Sequence, residues 1–385
     1  MSESEMTVPV ALAANGRRSP VGWAAATLHA DVPRLGHVPH FDGLRGILVF
    51  PVLWVHYTFS DFGGQLVVDM FFAMSGYLIT TLLLEERERS GRISIRAFYE
   101  RRAVRLIPEL VVCLGVQVAL ALVGVFPYRT TLVEAFGAFF YVYPLVGDFI
   151  RNADQMRMTH YWSLTLEEWY YALWAPMVAG LMVKTKPRAP FLWIAAIGGS
   201  LAMLVLHGLA WRSLGPVPQL GLRPETLVLG SCAALLRRDL LAARGRGEPR
   251  RWDQPLYAAT PAFLAILAAA WLIEPARWFL WPVGMVLACI SVVSLSCGRE
   301  IRPIEWLYTR RLVGKVGSAC YAIYIWHMVP FVLINGESAY EAKRHAHPWW
   351  ITLPVSTLIT VAIGLASTEF IAIPARKLYV ARKHR

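Results

Sequence analysis

Long apolar runs separated by short polar loops dominate the chain. A helix needs about 20 apolar residues to cross the hydrocarbon core of a bilayer. Ten runs approach that length: 44–58, 66–84, 106–126, 163–183, 191–210, 224–236, 256–273, 278–297, 316–334 and 349–373, of which the first and sixth are the shortest. An eleventh, 134–150, is apolar but aromatic, and Gly137, Pro144 and Gly147 interrupt it. The pattern predicts an all-α fold, a polytopic integral membrane helix bundle of about ten spans. No internal repeat relates one half to the other, which departs from the common transporter plan of two related halves.

Composition sharpens this reading. Apolar types make up 56% of the 385 residues and charged types 17%, against about 25% charged in soluble domains. Too little polar chain remains to cover a soluble core of this size. The 15 Trp residues suit aromatic girdles at two membrane interfaces. A net charge of +12 is also met in nucleic-acid-binding proteins. Here, however, the basic residues sit in short loops between apolar runs, the positive-inside pattern. Membrane lipids are therefore the expected surroundings, and no nucleic-acid partner is expected.

The strongly basic loops are 85–105 with seven Arg, 184–188 with three basic residues, 237–251 with six Arg and 298–315 with five basic residues. All four fall on one side only if 134–150 is re-entrant or interfacial on the opposite side. The expectation is ten spanning helices in the cell (plasma or inner) membrane, with both termini cytoplasmic. Residues 1–34 read as a disordered cytoplasmic tail, without the charged and apolar regions of a signal peptide. Residues 35–378 read as the membrane domain and 379–385 as a basic cytoplasmic tail. Cys113, Cys232, Cys289, Cys297 and Cys320 lie in apolar runs and form no CxxC pair, so neither disulfides nor a metal site is expected.

Candidate chemistry comes from polar residues inside these runs, where ionisable groups are expensive and usually serve a function. In the first, Arg45 and His56 are eleven residues apart. At 100° per residue they lie about 20° from alignment, separated by a rise of about 16.5 Å, with Asp42 nearly in line. An arginine near the cytoplasmic boundary can hold an anion, and a histidine deeper in can move a proton at neutral pH. A snorkelling arginine and a neighbour-satisfied histidine fit the same spacing. In the second run, Asp69 lies near the outer end, in reach of His56 across a short loop, while Ser75 and Gly76 suit either chemistry or close helix packing. Arg102 and Arg105, three apart at a cytoplasmic boundary, suit a polyphosphate or ordinary anchoring. The run Trp162-Ser163-Leu164-Thr165-Leu166-Glu167-Glu168-Trp169 places paired glutamates at a helix N-terminus, which favours negative charge, among aromatic rings. Tyr324 and His327 fall within a later span.

Taken in order, these stretches resemble the acyltransferase-3 family of membrane O-acyltransferases. The family's LDGLRGIAAL followed by a histidine is similar to Phe41 to Val49 with Arg45 and His56. Its GVDLFFVLSGFLIT is close to Val67 through Thr80, and its FYxRRxxRIxP matches Phe98 through Pro108. Its WSLSVEEQFYLLWP resembles Trp162 through Pro176, and its SYGIYLWH resembles Cys320 through His327. Trp169 stands where the family has Gln, Cys320 where it has Ser, and Pro176 is displaced by one. The terminal IEKPFRKL reads Ile371-Ala372-Ile373-Pro374-Ala375-Arg376-Lys377-Leu378, without its Glu. Glu369 is the nearest substitute, and no catalytic role is expected for that helix. The resemblance runs from Phe41 to about Leu378 and implies a stand-alone enzyme without the soluble hydrolase-like domain of larger relatives.

The resemblance implies an acyl-CoA co-substrate on the cytoplasmic side, most often acetyl-CoA. The acceptor is a sugar or lipid-linked hydroxyl of a cell-envelope glycan, a glycolipid or a secondary-metabolite glycoside. The donor's phosphates are expected at Arg45, Arg102 and Arg105. His56 is expected as general base or as a transient acyl carrier, with Asp69 or Glu167 orienting it or the acceptor. Asp42, Ser75, Glu168, Tyr324 and His327 complete the candidate set. The alternative is a transporter or flippase for an acylated glycolipid, using the same buried charges as a permeation path; a non-catalytic membrane scaffold is the third reading.

Overall fold

The computed structural model describes residues 32–58, 64–126, 128–143, 158–182, 192–202, 205, 224–247, 254–273, 277–335 and 349–383. In chain order the helices are α1 (Pro39–Thr58), α2 (Gly64–Ser90), α3 (Ile95–Leu122), α4 (Tyr128–Phe139), α5 (Tyr161–Met182), α6 (Leu192–Ala202), α7 (Glu225–Gly245), α8 (Ala259–Leu272) and α9 (Arg277–Ser296). They continue as α10 (Arg302–Tyr308), α11 (Arg311–Ser318), α12 (Cys320–Trp326), α13 (Met328–Asn335), α14 (Trp349–Ser367) and α15 (Ile373–Lys383), the last two joined by a π turn at Thr368–Ala372. No strand occurs among the described residues.

Four helical segments are long and apolar enough to cross a membrane: Gln65–Ser90, Ile95–Leu122, Gln254–Leu272 and Trp350–Lys383. A fifth counts if α11 and the α12–α13 rod, bent by 57°, form one broken span. The ten spans expected from the sequence are thus matched only in part. Helix α7 carries Glu225, Arg237, Arg238 and Asp239, and several expected runs, 191–210 among them, extend beyond the described residues. Helix α4 covers only the first part of 134–150, and residues 144–157 and the 184–188 loop lie outside the described residues.

Burial separates an interior helix from outer ones. The most apolar window of α2 is 72% buried, against 28% for α3 and 22% for the α14–α15 segment. The outer faces stay apolar, with Val111, Val112, Val116 and Leu122 exposed on α3 and Leu358 and Phe370 on the last segment. Water would penalise such a surface, whereas lipid would not. Helix α2 lies between two packed layers. Met70, Met74 and Tyr77 meet Phe41, Leu44 and Leu48 of α1, while Phe72, Ile79 and Leu83 meet Tyr170, Tyr171 and Trp174 of α5.

Lipid offers no hydrophobic drive between helices, so association depends on close packing and polar bonds. At the α2–α7 crossing, a Cβ on Gly76 would overlap the Leu227 carbonyl, and one on Gly230 would overlap that of Ala73. A second seam joins α1 to α10 and α11. There Gly43 faces Tyr308, Gly46 faces Val313 and Gly317 faces the Asp42 carbonyl, with no room for a side chain. The glycines flanking Arg45 therefore set how closely α1 can approach its neighbours. Polar bonds supplement this packing. Ser231 of α7 is 3.0 Å from Thr80 and 2.6 Å from the Tyr170 hydroxyl, and Trp174 donates to Thr80 at 2.8 Å. Each such bond contributes on average about 0.6 kcal/mol in a membrane.

Candidate active site

The stripe expected on α1 forms. Arg45, Val49 and Val52 line one cavity of about 320 Å³, and His56 lies one turn beyond Val52. Helices α3 and α15 bring Arg102, Arg105 and Arg376 to the Arg45 end. Arg45 lies 3.4 Å from Asp42, whose other oxygen is 2.9 Å from His37 Nε2. Arg102 donates to Glu168 at 2.6 Å, and its guanidinium stacks 3.5 Å from the centroid of the Tyr171 ring. Among the described residues, neither Arg105 nor Arg376 forms an ion pair.

The middle of the cavity is polar and internally hydrogen-bonded. Glu167 accepts from Ser75 and, at 2.6 Å, from Tyr171. Ser75 thus gives Glu167 a hydroxyl, while the adjacent Gly76 gives α7 its close approach. Tyr141 also lines the cavity, and its φ of 54° is the one left-handed non-glycine conformation among the described residues. Its carbonyl accepts from Trp169 Nε1 at 2.9 Å. Trp169, the residue that departs from the family's Gln, thereby holds a strained backbone position at the cavity wall.

At the far end the cavity stops at Ser163 and Tyr324. Their hydroxyls are 2.7 Å apart, and Tyr324 also donates to the His160 carbonyl at 2.6 Å. Behind this layer lie three histidines. His56 Nδ1 is 2.8 Å from His327 Nε2, and His327 Nδ1 is 2.5 Å from the Tyr324 carbonyl. A carbonyl can only accept, so His327 carries its proton on Nδ1 and leaves Nε2 as acceptor. His56 must then donate from Nδ1, and its Nε2 holds a free lone pair. Tyr57 fixes the arrangement by donating to the His327 carbonyl at 3.1 Å while lying 2.9 Å from Thr360.

His160, buried at the start of α5, packs its ring 4.5 Å from that of His327 and 6.0 Å from that of His56. Neither of its ring nitrogens has a hydrogen-bond partner. Sequence reasoning missed it, although a histidine two residues before Trp162 of the motif was the available signal. Among the described residues, no group of three His, Cys, Asp or Glu side chains is arranged to hold a metal ion.

Two expected pairings do not form. Asp69 does not reach His56. It accepts from Thr226 at 2.8 Å and from Trp281 Nε1 at 2.7 Å, tying α2 to α7 and α9. Glu167 is committed to Ser75 and Tyr171, and the partner of His56 is His327 instead. The final helix, for which no catalytic role is expected, lines the cavity with Arg376, while Glu369 is exposed on its outer surface.

The described residues thus combine membrane-length apolar helices, a basic cavity mouth and a part-buried histidine pair. Residues 38–369 match the family described as an acyltransferase domain, and the chain belongs to that family. Relatives include SACOL0978 of Staphylococcus aureus strain COL, 25% identical over 360 residues, covering 89% of this chain and 58% of the relative. O-acetyltransferase OatA of S. aureus strain NCTC 8325 is 24% identical over 357 residues, covering 89% of this chain and 57% of OatA. The chain thus spans less than two thirds of the length of these relatives. No solved structure matches it. Among the described residues it carries up to five segments long and apolar enough to cross a membrane.

Proposed function

We propose that this protein transfers an acyl group, acetyl by analogy with OatA, from acyl-CoA to a hydroxyl of a cell-envelope glycan, glycolipid or secondary-metabolite glycoside. The observation that carries the reading is the cavity, with arginines at one end and the basic Nε2 of His56 behind the other. Coenzyme A is polyanionic at its nucleotide end and thin along its pantetheine arm. Its phosphates would remain with Arg45, Arg102 and Arg105, and the arm would lie along Ser75 and Tyr171 towards Tyr324. Displacement of the Tyr324 ring would bring the thioester to His56.

In the transfer, His56 Nε2 takes the proton of the acceptor hydroxyl as its oxygen attacks the thioester carbonyl carbon. The C–S bond breaks, and the departing thiolate takes up that proton. His327 holds the ring orientation and tautomer that keep Nε2 basic. In this reading the chain makes ten crossings of the plasma or inner membrane with both termini cytoplasmic, so that the basic loops and the arginine end share one side.

Acetyl transfer from radiolabelled acetyl-CoA, measured with purified protein in proteoliposomes containing extracted envelope glycolipids, tests the proposal. Thioester consumption coupled to ester formation supports it. Movement of glycolipid without thioester consumption would establish the transporter reading instead. Accessibility labelling of Lys186→Cys in a cysteine-free background checks the topology: reaction from the cytoplasmic side is expected, and reaction from outside overturns the ten crossings.

A further inference from the structure

Helix α15 enters the cavity through an irregularity. In an unbroken α-helix Glu369 and Arg376, seven residues apart, would lie about 20° from alignment. The π turn at Thr368–Ala372 inserts one extra residue, which offsets the faces before and after it by about 100°. Glu369 accordingly points away from the protein and Arg376 lines the cavity. Glu109, one turn beyond Arg105 on α3, holds the start of this turn by accepting from Ser367 at 3.1 Å and from Thr368 at 3.3 Å. Such turns are concentrated at functional sites, because a bare helix would not retain the strain.

The charges explain what the irregularity achieves. Four guanidinium groups face one cavity mouth. Two are compensated, Arg45 by Asp42 and Arg102 by Glu168. Arg105 lies within electrostatic reach of the other three arginines, yet neither it nor Arg376 has an ion-pair partner among the described residues. Glu109 lines the same cavity and acts electrostatically on both, but its hydrogen bonds go to Ser367 and Thr368 and it makes no ion pair with either arginine, which leaves both guanidinium forks open to an incoming anion. Guanidinium forks suit phosphate oxygens.

We infer that Arg376 is a fourth phosphate-binding residue, acting with Arg105 on a phosphate group of the nucleotide donor, and that the π turn held by Glu109 aims it there. This rests on the donor reading above and adds to it a ligand-binding role for the last helix. Arg376 would contact only the phosphate-bearing part of the donor and leave the thioester end untouched.

The test compares acetyl-CoA with S-acetylpantetheine, which carries the same thioester without phosphate, on protein in nanodiscs. For Arg376→Gln, acetyl-CoA affinity should fall about ten- to a hundredfold, while turnover of S-acetylpantetheine stays at the wild-type rate. Arg376→Lys, which keeps the charge and protects folding, should fall less. Lys383→Gln, exposed on the same helix, should bind acetyl-CoA as wild type does. The inference is overturned if Arg376→Gln retains wild-type acetyl-CoA affinity while Arg102→Lys loses it, an outcome that leaves the donor reading standing. Equal losses with both thioesters would also overturn it, by showing a structural role. Equal losses in Lys383→Gln would do the same, by showing a diffuse charge effect. Wild-type protein that does not bind acetyl-CoA would overturn the donor reading itself, and this inference with it.

Discussion

The two ends of the cavity are built on opposite principles. The arginine end is open and gathers four guanidinium groups, two of them in ion pairs and two without one. The histidine end is packed, formally neutral and closed by a hydroxyl pair, with each hydrogen bond of the His56–His327–Tyr324 chain determining the next. Guanidinium forks left without an ion pair suit a ligand that arrives hydrated and charged and leaves again. A fully specified hydrogen-bond chain suits proton transfer, where the tautomer must be correct before the reaction begins. One helix, α1, connects the two, because Asp42, Arg45, Val49, Val52 and His56 fall on a single stripe.

This contrast predicts separable defects. The largest should follow His56→Ala, which removes the base: transfer should fall by about 10²–10⁴-fold while acetyl-CoA affinity and detergent elution stay normal. Near-normal turnover would remove the histidine end from the chemistry. His327→Ala leaves the His56 ring in place but unanchored, so turnover should fall about tenfold to a hundredfold, the cost of one buried hydrogen bond. A KM for donor that rises as much as turnover falls would blur the division between the ends. Arg105→Lys keeps the charge and loses the fork, so donor affinity should weaken about tenfold with turnover at saturation preserved; isothermal titration in nanodiscs separates these. The smallest effect on transfer is expected from Asp69→Asn, about twofold or less. It should instead lower thermal stability by about 1 kcal/mol through its bonds to Thr226 and Trp281. A large loss of transfer in Asp69→Asn would place that carboxylate back at the reaction.

Features contained within one helix were legible in the sequence. The Arg45–His56 stripe and the Arg102–Arg105 pair follow from 3.6-residue periodicity alone, and the all-helical fold follows from the apolar runs. Features that depend on how helices face one another were not. Asp69 is near His56 along the chain, but rotation of α2 turns it towards α7 and α9. The Arg102–Glu168 and His56–His327 pairs join residues 66 and 271 positions apart, so no local pattern could reveal them. Arg376 was hidden for a different reason: regular periodicity puts it on the face of Glu369, and only the extra residue of the π turn moves it. Of the ten expected spans, four or five appear as long apolar helices among the described residues, and α7, with Glu225, Arg237, Arg238 and Asp239, shows how an apolar run can continue into a polar helix.

The hydroxyl pair of Ser163 and Tyr324 has a consequence for the cell that would house this protein. An energised membrane stores work as a proton gradient, and any hollow opened into it from one face thins the insulation. Here the hollow ends at one tyrosine ring, and the group directly behind it is a histidine that can carry protons. If water filled the cavity as far as His56, each turnover would short-circuit part of that gradient. A single well-bonded phenol layer therefore acts as a dielectric stop. Its opening should be tied to an occupied cavity, with the donor itself serving as the plug while the ring is displaced.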